Sequence, residues 1–115
     1  MSPRSRATAA VELRRAAPIF AALGDETRLR IVARLCGSGP ASIVRLTEGV
    51  GVTRQATTKH LDVLAGAGLV RHVREGRERI FELCPARLDE ARQSLDRISQ
   101  QWDDALGRLK AFVER

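Results

Sequence analysis

Residues 53–70, TRQATTKHLDVLAGAGLV, decide the fold of this chain. Thr53 is suited to cap the N-terminus of a helix, and helical spacing of apolar residues continues behind it to about Ala65. The residues expected to pack inward are Thr57, Leu61 and Leu64. Gly66 and Gly68 then break the pattern. The stretch therefore predicts a short helix with one apolar and one polar face.

The residues upstream predict another helix joined to this one by a tight turn. Ser42 can cap a short helix, and the segment GVGV at residues 49–52 follows it. Asp25 can cap the helix before that, which the segment GSGP at residues 37–40 ends. The expected buried stripe of this earlier helix is Leu29, Val32, Ala33 and Cys36, widened by Ile31 and Leu35. Two helices separated by so short a glycine-containing connection are typical of a helix-turn-helix.

Downstream of the helix-turn-helix, the apolar period changes from helical to alternating. Residues 69–74 and 79–84 each predict a strand, and residues 75–78, EGRE, predict the hairpin turn between them. A hairpin directly after a helix-turn-helix forms a wing. The predicted fold class is therefore mainly α, a winged helix-turn-helix with a two-stranded β wing and a long C-terminal dimerisation helix.

That last helix should begin at Pro85 and run to about Glu114, with apolar residues at nearly heptad spacing. Residues 1–8 are expected to be a flexible basic arm and residues 9–115 one domain. Pro18 should kink or split the first helix. Because the apolar seam is long for one small domain, we expect it to form a homodimer interface, with intramolecular packing alone as the alternative. The predicted interface residues are Leu13, Leu95, Ile98, Trp102, Leu106 and Leu109.

The polar face of the predicted recognition helix and the wing tip are the candidate DNA-binding surface. Arginine can pair with guanine and glutamine with adenine in the major groove, whereas threonine and lysine suit phosphates. The predicted DNA-binding residues are Thr53, Arg54, Gln55, Thr58, Lys59, His60, Arg74, Arg77 and Arg79. The alternatives are an ordinary solvated helix face and a solvated hairpin. For His60, a hydrogen-bonded position near the core is favoured over a phosphate contact.

Three segments in order resemble the ArsR family of bacterial regulators. LGDETRLRIV at residues 23–32 is similar to that family's second-helix signature, TRQATTKHLDVLAGAGLV to its recognition helix, and EGRERIFEL at residues 75–83 to its wing. The resemblance implies a dimeric repressor that binds operator DNA and releases it on a signal. The third helix has no cysteine and the last helix no histidine, so the thiolate and imidazole metal sites of metal-sensing members do not carry over.

Charge and composition agree with a nucleic-acid partner. The chain of 115 residues has a formal net charge of +6, and its last part, residues 85–115, holds 6 basic and 6 acidic groups. We expect a cytoplasmic transcription regulator that is not an enzyme, with a double-stranded DNA operator and itself as partners, no membrane, no metal and no cofactor. A small-molecule effector remains open. The alternative functions are a thiol-based redox-responsive repressor using Cys36 or Cys84, or a protein-interaction module that does not bind DNA.

Overall fold

The computed structural model describes residues 3–114 of the chain, and side chains from residue 6 onward. Five helices and three strands follow one another in the order expected for a winged helix-turn-helix. They are α1 (Pro3–Leu23), α2 (Glu26–Ser38), β1 (Ala41–Ser42), α3 (Ile43–Val50), α4 (Arg54–Gly66), β2 (Val70–Glu75), β3 (Glu78–Leu83) and α5 (Pro85–Val113).

The starts of α2, α3 and α4 confirm the predicted N-caps. Side-chain oxygens of Asp25, Ser42 and Thr53 each accept the backbone N–H three residues further on, at N···O distances of 3.0, 3.3 and 3.1 Å. Each bond satisfies one of the amides that a helix leaves without an internal partner at its first turn. Gly51 ends α3 in the left-handed conformation at φ 71°, which turns the chain sharply into α4.

The wing belongs to a sheet of three strands, in the order β1-β3-β2, rather than the two strands predicted. The long strands form the expected antiparallel hairpin, in which Val70 lies opposite Leu83. In addition, β1 pairs with the middle of β3, placing Ala41 opposite Phe81. A strand of two residues is too short to show an alternating pattern in the sequence. Its effect is to attach the start of α3 directly to the wing.

The core lies where α1, α2, α3, α4 and the base of the wing meet. Its largest fully buried side chains are Ile19, Ile31, Leu46, Leu61, Leu64, Leu69 and Thr57. In α2 the buried stripe is Ile31, Val32 and Leu35. Leu29, Ala33 and Cys36 were predicted to be buried and are exposed. Apolar residues extend around much of this helix, so their spacing was compatible with burial of either of two faces. Packing buries the face with Ile31 and Leu35 and leaves the face with Leu29 exposed.

Helix α1 differs in two respects from its prediction. It begins at Pro3, so residues 3–8 are helical rather than an unstructured arm, and residues 1–2 lie outside the described part of the chain. Pro18 lies within one uninterrupted helix, so of the two predicted outcomes, a kink or a split, the split is wrong. The turn around that proline is held by Ile19 and Ala22, which are both buried in the core.

Helices α1 and α5 lie side by side and run in opposite directions. Arg15 is paired with Glu90, at 3.1 Å between Nη2 and Oε1, and Glu12 contacts Arg97 further along. Beyond Ser94, every described residue of α5 is exposed. No helix among residues 3–114 is long and apolar enough to cross a membrane.

Candidate nucleic-acid interface

Helix α4 has the two faces that its sequence predicts. Thr57, Leu61 and Leu64 are buried against the core. Arg54, Gln55 and Lys59 are exposed at the N-terminal half of the opposite face. The helix therefore presents three long polar side chains to solvent from a rigid, well-packed element, as base reading requires.

A cleft of about 210 Å³ separates the start of α4 from the wing. Arg54 and Thr58 line it from the helix, and Arg74, Arg77 and Arg79 line it from the wing. Four guanidinium groups thus border one concave surface, together with a single carboxylate, Glu78. This surface carries net positive charge and suits a phosphodiester backbone.

Arg79, one of the wing arginines that line the cleft, is held by two side-chain contacts. Its guanidinium carbon lies 5.4 Å from the centroid of the Phe81 ring, within the range of a cation–π contact. Its Nη2 is also 3.4 Å from Nδ1 of His72. These contacts orient the side chain, whereas Arg77 lies beside Gly76 at the exposed tip of the hairpin.

The two threonines of the predicted surface already have bonds within the helix. Thr53 accepts the Ala56 amide as N-cap, which leaves its hydroxyl proton available to a ligand. Thr58 instead donates its hydroxyl proton to the carbonyl of Arg54, at 3.0 Å. Thr58 can therefore accept a hydrogen bond from a ligand, but must give up this one to donate to a phosphate.

The side chain of His60, on α4, faces the start of α2 and is 23% exposed. Its Nδ1 is 3.3 Å from Nη1 of Arg28 and 3.8 Å from Oδ2 of Asp25. Arg28 also donates from Nε to the carbonyl of Ala22 at the end of α1, at 2.5 Å. The Nδ1 side of the imidazole thus faces protein groups, and a contact of His60 with phosphate stays a prediction.

Asp25 and Arg28 were not among the predicted site residues, although both lie in the LGDETRLRIV segment. The backbone amide of Arg28 lowers the pKa of the Asp25 carboxyl below its usual range, and the Arg28 and His60 charges add to that effect. The ionised form of Asp25 is therefore the one that caps α2 and borders His60.

The predicted dimerisation residues form an exposed apolar stripe along α5. They are Leu95, Ile98, Trp102, Leu106 and Leu109, with Leu13 of α1 also exposed. Trp102, the largest side chain of the stripe, exposes 66% of its surface. Intramolecular packing against α1 therefore does not cover this stripe.

The cysteines and histidines do not gather into one site. Cys36 is exposed near the end of α2, and Cys84 is half-buried before α5. His60 and His72 lie on α4 and β2. Among residues 3–114, no three His, Cys, Asp or Glu side chains are grouped so that they could hold a metal ion.

Comparison with known proteins places this geometry in a family. A family model described as a helix-turn-helix domain matches residues 23–73. HTH-type transcriptional regulator Rv2034 of Mycobacterium tuberculosis is 40% identical over 85 residues, which cover 74% of this chain and 76% of the relative. The solved ArsR-like transcriptional regulator from Rhodococcus sp. RHA1 superimposes with a TM-score of 0.71 at 38% identity, covering 86% of this chain and 92% of that one. The chain belongs to the ArsR family of transcriptional regulators.

As a member of the ArsR family, the chain is a DNA-binding transcriptional regulator of the winged helix-turn-helix type. A further structural neighbour is the homodimeric winged helix-turn-helix DNA-binding domain (fragment 1–100) of Mb0332 from Mycobacterium bovis, with a TM-score of 0.61 at 25% identity, covering 94% of this chain and 93% of that one. The resemblance carried by the three sequence segments is thus confirmed. The contacts of individual residues with DNA, the cytoplasmic location and the lack of enzymatic activity stay predictions.

Proposed function

We propose that this regulator is a homodimeric repressor whose α4 helices read an operator from adjacent major grooves. The observation that carries the proposal is the arginine-lined cleft, which places the N-terminal half of α4 and the wing on one continuous cationic surface. A repressor acts by occupying DNA, so a rigid reading helix and a phosphate-binding wing suffice for the activity.

Within this surface we assign different roles to different side chains. Arg54 and Gln55, exposed at the start of α4, would contact base edges. Lys59 and the arginines of the wing would bind phosphates, because they lie further along the helix and across the cleft. Sequence preference should therefore depend on the first pair, and salt dependence on the second group.

The dimer would form along the apolar stripe of α5. The stripe carries several large exposed side chains at nearly heptad spacing, which is the arrangement that two packed helices need. A two-fold axis along this stripe would place the α4 helices on one side of the DNA, about 34 Å apart for successive major grooves. The operator is then an imperfect palindrome.

Selection of duplexes from a random pool, followed by affinity measurements on the selected sequence, tests this function. We expect a palindromic consensus. Each lost bidentate base contact, in Arg54→Ala or Gln55→Ala, should weaken binding by about 1–3 kcal/mol. Arg92→Ala is the matched control, because Arg92 lies on α5 and pairs there with Asp89. Failure to select any consensus, or unchanged affinity in the Arg54/Gln55 double variant with its fold intact, would refute the proposal.

We also propose that release of DNA does not use the thiolate and imidazole metal sites of metal-sensing relatives. The four Cys and His residues lie on separate elements, at positions outside the apolar stripe. Operator affinity should therefore be the same with and without zinc, cadmium, copper(I) or arsenite. Metal-dependent release that disappears in the Cys36→Ser/Cys84→Ser variant would contradict this. Without a metal signal, occupancy would follow the abundance of the protein, or an organic effector.

A further inference from the structure

Arg87, in the first turns of α5, connects that helix to the end of the recognition helix. Its Nε donates a hydrogen bond to the carbonyl of Ala67, the C-cap residue of α4, at 3.2 Å. Its Nη1 donates to Oε2 of Glu90 at 2.7 Å. One guanidinium thus binds a recognition-helix carbonyl and an α5 carboxylate at the same time.

Glu90 extends this connection to α1. Its second oxygen, Oε1, accepts a hydrogen bond from Nη2 of Arg15 at 3.1 Å. Helices α1, α5 and α4 are therefore linked through the series Arg15, Glu90, Arg87 and the Ala67 carbonyl. The inner members are better shielded than the outer one, with side chains 28% exposed at Arg87 and 34% at Glu90, against 65% at Arg15.

The backbone after α4 is shaped to receive Arg87. Gly68 has φ +77°, and a Cβ at that position would lie 3.1 Å from both Cγ and Nε of Arg87. The stem of the arginine thus occupies space that any other residue at position 68 would restrict. A cation is also favoured at this place, because the C-terminus of a helix carries partial negative charge.

We propose that Arg87 and Glu90 are positioning residues for DNA binding, which fix the angle of α4 relative to the α1–α5 pair. The inference rests on the proposed function, in which α4 reads bases and α5 forms the dimer. A small tilt of α4 is costly for recognition, because the length of the helix turns a small angle into a displacement larger than a base contact tolerates. At 1.5 Å per residue its ends lie about 18 Å apart, so a tilt of about 5° about its middle moves each end by about 0.8 Å. Such a shift exceeds the roughly 0.5 Å within which a binding site must be held.

The connection also gives α1 and α5 a means of influencing DNA binding. In a dimer assembled on α5, the spacing between two α4 helices depends on how each is held to its own α5. A disturbance at the Arg15–Glu90 pair would reach the Ala67 carbonyl through one side chain, Arg87. Arg87 and Glu90 should therefore affect the affinity for a specific operator, in which both half-sites must fit at once. They should not affect the general attraction of the protein for phosphates.

The test compares two salt-bridge variants of α5. Arg87→Met keeps the aliphatic stem beside Gly68 but removes both hydrogen bonds, and Glu90→Gln removes the carboxylate charge. Arg92→Met is the matched control, since Arg92 forms an equivalent pair three residues from Asp89 at 2.8 Å, with its side chain 72% exposed. Each protein is assayed on the duplex selected from the random pool, on a scrambled duplex of the same length, by thermal melting and by sedimentation.

We expect Arg87→Met to weaken binding to the selected duplex about tenfold. Binding to the scrambled duplex and the dimer should be unchanged, and Glu90→Gln should act in the same direction. Arg92→Met should behave as the unmodified protein. Equal affinity of Arg87→Met and the unmodified protein for the selected duplex would overturn the proposal, as would parallel losses on both duplexes. Arg54→Ala, measured in the same assay, distinguishes the proposed function from this inference. If only Arg54→Ala weakens binding to the selected duplex, base reading by α4 is supported and positioning by Arg87 is refuted.

Discussion

Replacing Trp102 with glutamate tests the assembly most directly. Trp102 exposes 66% of its surface in the single chain, and that fraction of a tryptophan is on the order of 150 Å². Full coverage of this area by a partner would stabilise the dimer by about 4 kcal/mol per protomer. If only half is covered in each protomer, the two substitutions together cost about 4 kcal/mol and weaken the dimer about a thousandfold.

Sedimentation velocity at low micromolar concentration measures the effect. The unmodified protein should sediment as a dimer and Trp102→Glu as a monomer with an unchanged circular dichroism spectrum, because the substituted side chain lies outside the core. Ala111→Glu is the matched control: it adds the same charge at an exposed position on the opposite side of α5. A dimer that persists in Trp102→Glu, or an unmodified protein that is monomeric, would refute the assignment of the stripe.

Three further predictions concern stability and control. Leu61→Ala, at a fully buried position, should lower the free energy of unfolding in urea by about 3 kcal/mol, whereas Val63→Ala on the exposed face should change it far less. Because the pKa of Asp25 is lowered in the folded state, its contribution to stability is present above the pKa of the unfolded chain and is lost as the pH falls through the folded value. NMR titration should thus find a carboxyl pKa below 3.8 at Asp25, and a value at or above it would contradict the cap. The unmodified protein and the Cys36→Ser/Cys84→Ser variant should bind the operator with the same affinity, with and without peroxide. Peroxide-induced release in the unmodified protein that is absent from the variant would instead reveal a thiol switch.

The features that could be predicted from the sequence are those with local causes. Asp25, Ser42 and Thr53 act as caps through bonds that span only three residues, so their chemistry is visible in the sequence. The hairpin has strands long enough to show alternation. The recognition helix showed its buried face because Leu61 is flanked by His60 and Asp62, which are both polar.

The features that could not be predicted depend on contacts between distant segments. In α2, apolar residues lie on more than one face, and only packing decides that Ile31 is buried while Leu29 remains 50% exposed. Pairing of β1 with β3 joins residues that lie about forty positions apart, and no pattern within two residues signals it. The bond from Arg87 to Ala67 spans 20 positions and has no motif.

The short strand β1 also determines how the wing can respond to force. It is bonded to β3 only at Phe81 and Ile80, so the hairpin is three strands wide in its middle and two strands wide from residue 74 to residue 79. Bending stiffness therefore falls abruptly part-way along the hairpin, as in a cantilever clamped at one end. On the proposed function, grooves of different width would deflect the outer segment with Arg77, while the pairing of β1 at Ile80 and Phe81 would keep that deflection from reaching α3 and the helix that follows it. The wing would then adapt to DNA of different shape without disturbing the proposed reading of bases by α4.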